Sequence, residues 1–363
     1  MSLPARTEAP SKRAIDDAIR AIPIEWFKAS PAIYWADMLT SAAVGWTALM
    51  LGATSAGWTR AGWLTVAVFA LYHAVLFIHE ITHRAQRDVP GFTFVWNALV
   101  GVPLLVPSFV YENVHTDHHR QRSYGTDADP EYLPFGHRSP MVIAGYVIGS
   151  LLAPLIFAFR FGILAPLGWL VPPLGRFVAD RCSALVINHH YIRRTAIGVA
   201  VRVQEAAAFA VCWAAAVLWW TGHLPTAALS CYAVVSAVAS GINSARTLAA
   251  HRYDNDHDEL SMNEQLLDSC TISPSLRGRA AAHVATAFRT LMAPVGLRYH
   301  ALHHWIPSLP YHNLGRAHRL LATALTPDAP YGRTIEPGFT PVLRDLLQRS
   351  SSRTIERSPS RRS

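Results

Sequence analysis

From Ala206 to Ala245 the chain carries no Asp, Glu, Lys or Arg, and the run is broken once, at Thr221-Gly222-His223-Leu224-Pro225. A membrane-spanning helix needs about 20 largely apolar residues. The stretch therefore reads as two spans joined by a tight Gly/Pro turn. Met38–Thr59 and Ala61–Ile78 repeat the pattern on either side of Arg60. The expected fold is all-α and integral to a membrane: four transmembrane helices in two hairpins, over roughly 33–83 and 201–252.

Composition agrees. Charged residues make up 15% of the 363 residues and apolar types 51%, with 11 Trp; a soluble domain carries about 25% charged residues. The mean hydropathy of +0.18 is modest for a channel or transporter, and fits an apolar base under a large polar cap. The net charge of +8 matches loop arginines held near anionic headgroups. Nucleic acid is not an expected partner, because no basic stripe is interleaved with aromatics and no zinc-finger spacing occurs. Cys182, Cys212, Cys231 and Cys270 form no CxxC, so neither a disulfide framework nor a cysteine metal site is expected. No signal peptide is expected, since the first apolar run starts late and a second follows it. Residues 1–30 read as a polar N-terminal segment, 31–345 as the membrane domain, and the Arg/Ser-rich 346–363 as a disordered basic tail.

Two further runs are ambiguous. Phe92–Val110 is apolar but holds Pro103 and Pro107, and Ser139–Phe159 is uncharged over a span's length. If the histidine clusters share one site, the chain between them crosses the bilayer an even number of times. The second hairpin already supplies two crossings, so both runs are expected to be interfacial or re-entrant. Arg84, Arg87, Arg120, Arg122, Arg138, Arg176, Arg181, Arg193, Arg194 and Arg252 fall on the side of the cap, and Arg60 in the opposite turn. That asymmetry makes the expected protein multi-pass with a cytoplasmic cap.

Histidine is the outlier, with 18 copies. His79-Glu-Ile-Thr-His83 ends the second span, and i and i+4 share one helical face. His115-Thr-Asp-His118-His119 and His300-Ala-Leu-His303-His304 have i, i+3, i+4 spacing. Adjacent histidines diverge by about 100° around a helix, so His118 and His119 can serve different metals. His251 lies beyond the fourth span as His79 lies beyond the second. These histidines exceed what one ion can bind. Two metals are implied, and a dioxygen-activating di-iron centre fits best, with the metals supplying the oxidation and the protein the orientation. His79-Glu80-x-x-His83 also matches a zinc-protease motif with Glu80 as general base, but that reading leaves both HxxHH clusters unexplained. A non-catalytic metal transporter would place polar residues within the spans, and the sequence shows almost none.

The boxes HEITH and HTDHH, then RTLAAHRY at 246–253 and RYHALHHWIPSLPYHNLGRAHRLL at 298–321, resemble the membrane fatty acid desaturase family. The resemblance covers about residues 35–325. It implies four spans and a cap holding two irons, with His79, His83, His115, His118, His119, His300, His303 and His304 as ligands and His251 as an extra one. HxxxH in the first box is more similar to acyl-lipid, sphingolipid or carotenoid branches than to the acyl-CoA branch, which carries HxxxxH. A His at position 300 departs from the Gln of front-end enzymes, and no HPGG of a fused cytochrome b5 module occurs. The resemblance thus implies O2 as co-substrate, a membrane lipid or acyl thioester as substrate, and electrons from a separate ferredoxin or cytochrome b5-type carrier. The expected reaction is insertion of a double bond into a fatty acyl chain. The alternative on the same scaffold is a hydroxylase or ketolase of a fatty acyl, sphingolipid or carotenoid substrate.

Ligating histidines usually donate their second N–H to a carboxylate or carbonyl. Among Glu80, Asp117, Asp127, Asp129, Glu131, Asp254, Asp256 and Asp258, one or two are expected to support ligands. Asn243 is a candidate to approach an iron, and His312 to support the third box or cap a helix. His73, His137, His189, His190, His223, His257, His283 and His318 are expected to be structural.

Overall fold

The computed structural model describes residues 17–194, 198–273 and 279–357, with the backbone alone for 84–86, 279–283 and 353–357. Helices dominate. The described strands are β1 (Thr271–Ile272) and β2 (Ile335–Glu336), which pair in parallel.

α1 (Pro31–Thr54) and α2 (Gly57–Val75) form the first hairpin. They approach closely because Gly45 and Gly52 present no side chain: a Cβ at Gly45 would lie 2.6 Å from Leu71 Cγ. Small residues permit such close packing where lipid supplies no hydrophobic drive. The turn falls at Ser55–Gly57, where Gly57 has φ +54, and not at Arg60 as expected. Arg60 is instead helical, and its Nε donates to the carbonyl of Gly52 in the last turn of α1, which also accepts from the Ser55 N–H. α2 continues as a nearly unbroken rod to His83, through a π-helical turn at Ile81–Ala85.

α3 (Phe92–Gly101) stops before Pro103 and is too short to span. α4 (Val114–His118) carries the second histidine box. α5 (Pro140–Leu151), α6 (Ala153–Leu170) and α7 (Pro172–Arg181) follow. α8 (Val199–Trp220) and α9 (Thr226–Leu248) form the second hairpin, with the turn at the expected Thr221–Pro225. α10 (Met262–Asp268), α11 (Arg279–Met292), α12 (His300–Trp305), α13 (Tyr311–Ala324) and α14 (Phe339–Arg357) complete the chain. α14 runs through the boundary expected at 346 and buries Leu346 and Ser350. Much of the segment expected to be a disordered tail is therefore helical, and residues 358–363 lie outside the described ones.

Four described helices are long and apolar enough to cross a membrane: Gly57–His83, Ala153–Leu170, Val199–Trp220 and Thr226–Leu248. α1, expected as the first span, is not in that set, although its 24 residues are about 36 Å long. α6 is in it, against the expectation of a merely interfacial or re-entrant run. Its prolines, Pro154 and Pro166, sit in the first turns of its two α-helical parts, where no N–H is needed. A π-helical turn at Arg160–Leu164 joins those parts. Both ends of the α5–α7 segment nonetheless sit at the cap. Arg138 accepts from Ser350 at one end, and Leu185 and Ile187 donate to Val110 and Pro130 at the other.

α6 is fastened to α8 by a buried ion pair. Arg160 Nη2 lies 2.6 Å from Glu205 Oε1, and Arg160 also donates to Cys182 O and Ser183 Oγ. Trp169 donates to the second Glu205 oxygen at 2.8 Å. Removing one partner of a buried pair leaves an uncompensated charge. Glu205→Leu is expected to cost about 3–5 kcal/mol, read as a lowered unfolding temperature in detergent. Wild-type stability of the variant would show that the pair carries no net weight.

Candidate metal centre

The histidine boxes lie on elements that packing brings to one place. His79 and His83 end the α2 rod, where the helix widens from α to π; single π turns recur at functional sites. His115, His118 and His119 come from α4 and its C-cap. His251 follows α9 in an isolated bridge to Ser269, and His300, His303 and His304 lie on α12. Cys270 stitches the last two elements together: its N–H donates to Ala250 O and its carbonyl accepts from Ala301.

The nine imidazoles fall into two groups. His79, His83, His115, His119 and His303 form one, and His118, His251, His300 and His304 the other; within each, candidate ligand nitrogens lie within 4.8 Å of one another. The i, i+4 members of each box go together, and the i+3 member goes to the other group. His118 and His119 therefore part company, as do His303 and His304, as their angular separation requires.

The donor set fits metal. Nε2–Nε2 distances are 3.0 Å for His115–His119, 3.1 Å for His119–His303, 2.9 Å for His251–His300 and 3.0 Å for His300–His304. Two nitrogens at right angles, each about 2.1 Å from one metal, would be about 3 Å apart. Both nitrogens of His79, Nε2 of His83 and Nδ1 of His300 are buried with no hydrogen-bond partner among the described residues. Orphaned buried nitrogens are costly unless something binds them. Burial, followed by mutual repulsion, holds His115, His119, His300, His303 and His304 well below the ordinary histidine range. They are thus in the neutral form that a metal requires. His118 differs. Burial again opposes its charged form, but Asp129 and, more weakly, Glu131 and Asp268 outweigh that and raise its pKa.

Carboxylates brace the ring nitrogens that face away from the groups. Asp129 lies 2.8 and 2.9 Å from His118 Nδ1, and Glu131 2.6 Å from His115 Nδ1. Glu80 Oε1 lies 3.7 Å from His79 Nδ1, and the remaining acidic candidates are engaged elsewhere. Asp117 pairs with Arg120 and accepts from Tyr191. Asp127 meets His257, and Asp254 meets Arg349. Asp256 lies near His137 and His257, and the Asp258 carbonyl accepts from Asn255. Glu80 accepts from Tyr34 and the Tyr311 backbone, whereas a protease base would need to face a metal-bound water. Asn243 accepts from Arg246 and lines the cavity described below. His312 accepts from the Ser30 backbone.

His73 binds Asp37, His137 the Asp254 carbonyl, His223 Thr221, and His318 both Tyr331 and Ser273. His189 and His190 are exposed and in mutual ring contact at 4.0 Å, tilted by 43°, and the side chain of His283 lies outside the described residues. Sequence reasoning missed Tyr124 and Asp268. Tyr124 OH lies 2.8 Å from His251 Nδ1 and donates to Asp268 Oδ2 at 2.8 Å. Nothing local in the sequence marks that contact. Tyr111, hydrogen-bonded to both His115 and Glu131, is one helical turn from its partner, and that spacing could have found it.

A cavity of about 240 Å³ reaches His79. Its lining combines apolar side chains, among them Leu71, Val75, Leu104 and Phe157, with the polar Glu131, Tyr146, Ser240, Asn243, Arg246 and Thr247. α9 thus carries more polar residues inside the expected span than the sequence reading allowed, and they face this cavity rather than lipid.

An all-α membrane fold around two buried polyhistidine groups defines a class of metal-dependent oxidoreductases. The chain belongs to the fatty acid desaturase family, whose profile matches residues 56–334. It is 42% identical over 329 residues to a ceramide hydroxylase of Caulobacter vibrioides strain NA1000 / CB15N, covering 90% of this chain and 91% of that protein. No solved structure gives a significant match. The family's centre is di-iron, and the residues present suit two such ions.

Proposed function

We propose that this chain hydroxylates a ceramide-class lipid in the membrane. The reaction consumes O2, two electrons and two protons; one oxygen atom enters a C–H bond and the other leaves as water. The observation that carries the reading is the cavity at His79, lined by apolar side chains together with a set of polar ones from α9. The 42% identity to a ceramide hydroxylase supports the substrate class. Desaturation, the first expectation from sequence, is the second reading; it uses the same inputs, removes two hydrogens and releases two waters.

In this reading the five-histidine and four-histidine groups each hold one iron, with all nine histidines as ligands. The irons supply the oxidising power from O2. The chain's own residues bind the metals, hold the histidine rings and screen the site from bulk water: His115, His118, His251, His300 and His303 are each at most 4% exposed. Electrons come from a separate ferredoxin or cytochrome b5-type carrier. The cap faces the cytoplasm, on the strength of the loop arginines, and residues 31–345 form the working domain.

The test is lipid profiling by mass spectrometry in a ceramide-producing host, with and without the wild-type chain and a matched electron carrier. New ceramides heavier by one oxygen are expected. Ceramides or fatty acyl chains lighter by two hydrogens would replace hydroxylation by desaturation. An unchanged profile, with the iron-loaded protein verified, would sink both readings.

A further inference from the structure

The polar wall of the cavity asks for a ligand that a plain hydrocarbon chain cannot be. Ser236, Ser240, Asn243 and Thr247 recur along one face of α9, and Arg246 adjoins them. Polar groups facing only CH2 groups would lose the hydrogen bonds they make with water. Arg246 makes the case sharpest. Its Nη2 donates to Asn243 Oδ1 at 2.8 Å, while its Nε is buried without a hydrogen-bond partner among the described residues. Glu131, the carboxylate in the same cavity, is already bound to Tyr111 and His115. Because Asn243 Oδ1 accepts from the guanidinium, its Nδ2 is the end left to donate. Two donors, Arg246 Nε and Asn243 Nδ2, are therefore available to one acceptor.

We propose that Arg246 and Asn243 bind the amide carbonyl oxygen of an N-acylated sphingoid base and so set which carbons lie against the His79 side of the metal centre. The assignment rests on the ceramide-class reading above. The wall also offers hydroxyl acceptors at Ser236, Ser240 and Thr247. Those hydroxyls donate as well as accept; the N–H and hydroxyls of such a lipid can meet both capacities, whereas a fatty acid carboxylate can only accept from them.

The experiment is equilibrium binding to the purified, iron-loaded full chain in detergent. Three fluorescent ligands of equal acyl length are compared: a ceramide, its ether analogue lacking the amide, and the free fatty acid. A hydrogen bond from a charged donor is worth about tenfold in affinity. The wild-type chain is expected to bind the ceramide about tenfold more tightly than the ether analogue. Arg246→Leu and Asn243→Leu should each shrink that ratio to about threefold or less. If either leucine variant elutes aggregated, Arg246→Met and Asn243→Ala remove the same donors with less disturbance of packing and report the same ratio. An unchanged ratio in the variants overturns the proposal, as does a wild-type preference for the fatty acid. Turnover is scored separately. Selective ceramide binding without oxygenated product would sink the proposed function and leave this inference standing.

Discussion

Replacing His300 with alanine is expected to remove about one of two irons per chain and to lower product formation more than about 100-fold. His300 belongs to the four-histidine group, the smaller of the two. Its Nε2 lies 2.9 Å from that of His251 and 3.0 Å from that of His304, so it sits at the middle of that donor set. Its loss leaves three imidazoles in a fully buried pocket that offers no side-chain replacement, since the nearby Asp268 is held by Tyr124 and Tyr132. Metal analysis and lipid profiling on the same preparation check the result. His312→Ala is the matched control: His312 lies close in sequence but outside both groups, and about twofold loss at most is expected. Wild-type iron and turnover in His300→Ala would refute the partition of the histidines into two metal sites.

Asp129→Asn should reduce metal affinity or turnover about 10–100-fold while keeping all nine histidines. Asp129 is fully buried, and both its oxygens are saturated. They contact His118 Nδ1 and accept from the backbone N–H groups of Gly125 and Glu131 at 2.8 Å. Asparagine turns one acceptor into a donor, which then opposes either a backbone N–H or the ring N–H of His118. The imidazole loses the partner that fixes its tautomer and orientation. Asp117→Asn changes the same chemistry at a side chain that pairs with Arg120 outside the groups, and is expected to stay within about twofold of wild type. Equal losses in the two variants would mean that charge near α4, rather than the bond to His118, controls the centre.

The second hairpin, the histidine boxes and their angular logic could be read from sequence because each is a local pattern. A charge-free run with a Gly/Pro break gives a helix, a turn and a helix. Spacings of three and four residues give faces. What sequence withheld depends on contacts between distant segments. Asp268 and Tyr124 reach His251 from separate elements, and neither has a neighbour in sequence that marks it. A charged residue marks Arg60 as the break between α1 and α2 in sequence, yet the turn precedes it and Arg60 folds back onto Gly52 O. The spanning length of 153–170 runs against the parity of crossings that the sequence implies, and its prolines fall where a helix start tolerates them. The α9 polar residues are few enough to vanish in an averaged hydropathy, yet they share one face and that face meets a cavity.

α9 ends at Leu248, and His251 follows within a few residues. The rod that lines the cavity with Asn243 and Arg246 therefore also delivers a candidate ligand to the four-histidine group. Such a rod works as a fixed caliper. The reacting carbon is then counted from the jaw where the lipid is gripped, and the length of the tail beyond the centre has no part in the measurement. Lipids with longer or shorter tails, gripped at the same jaw, would be marked at the same position.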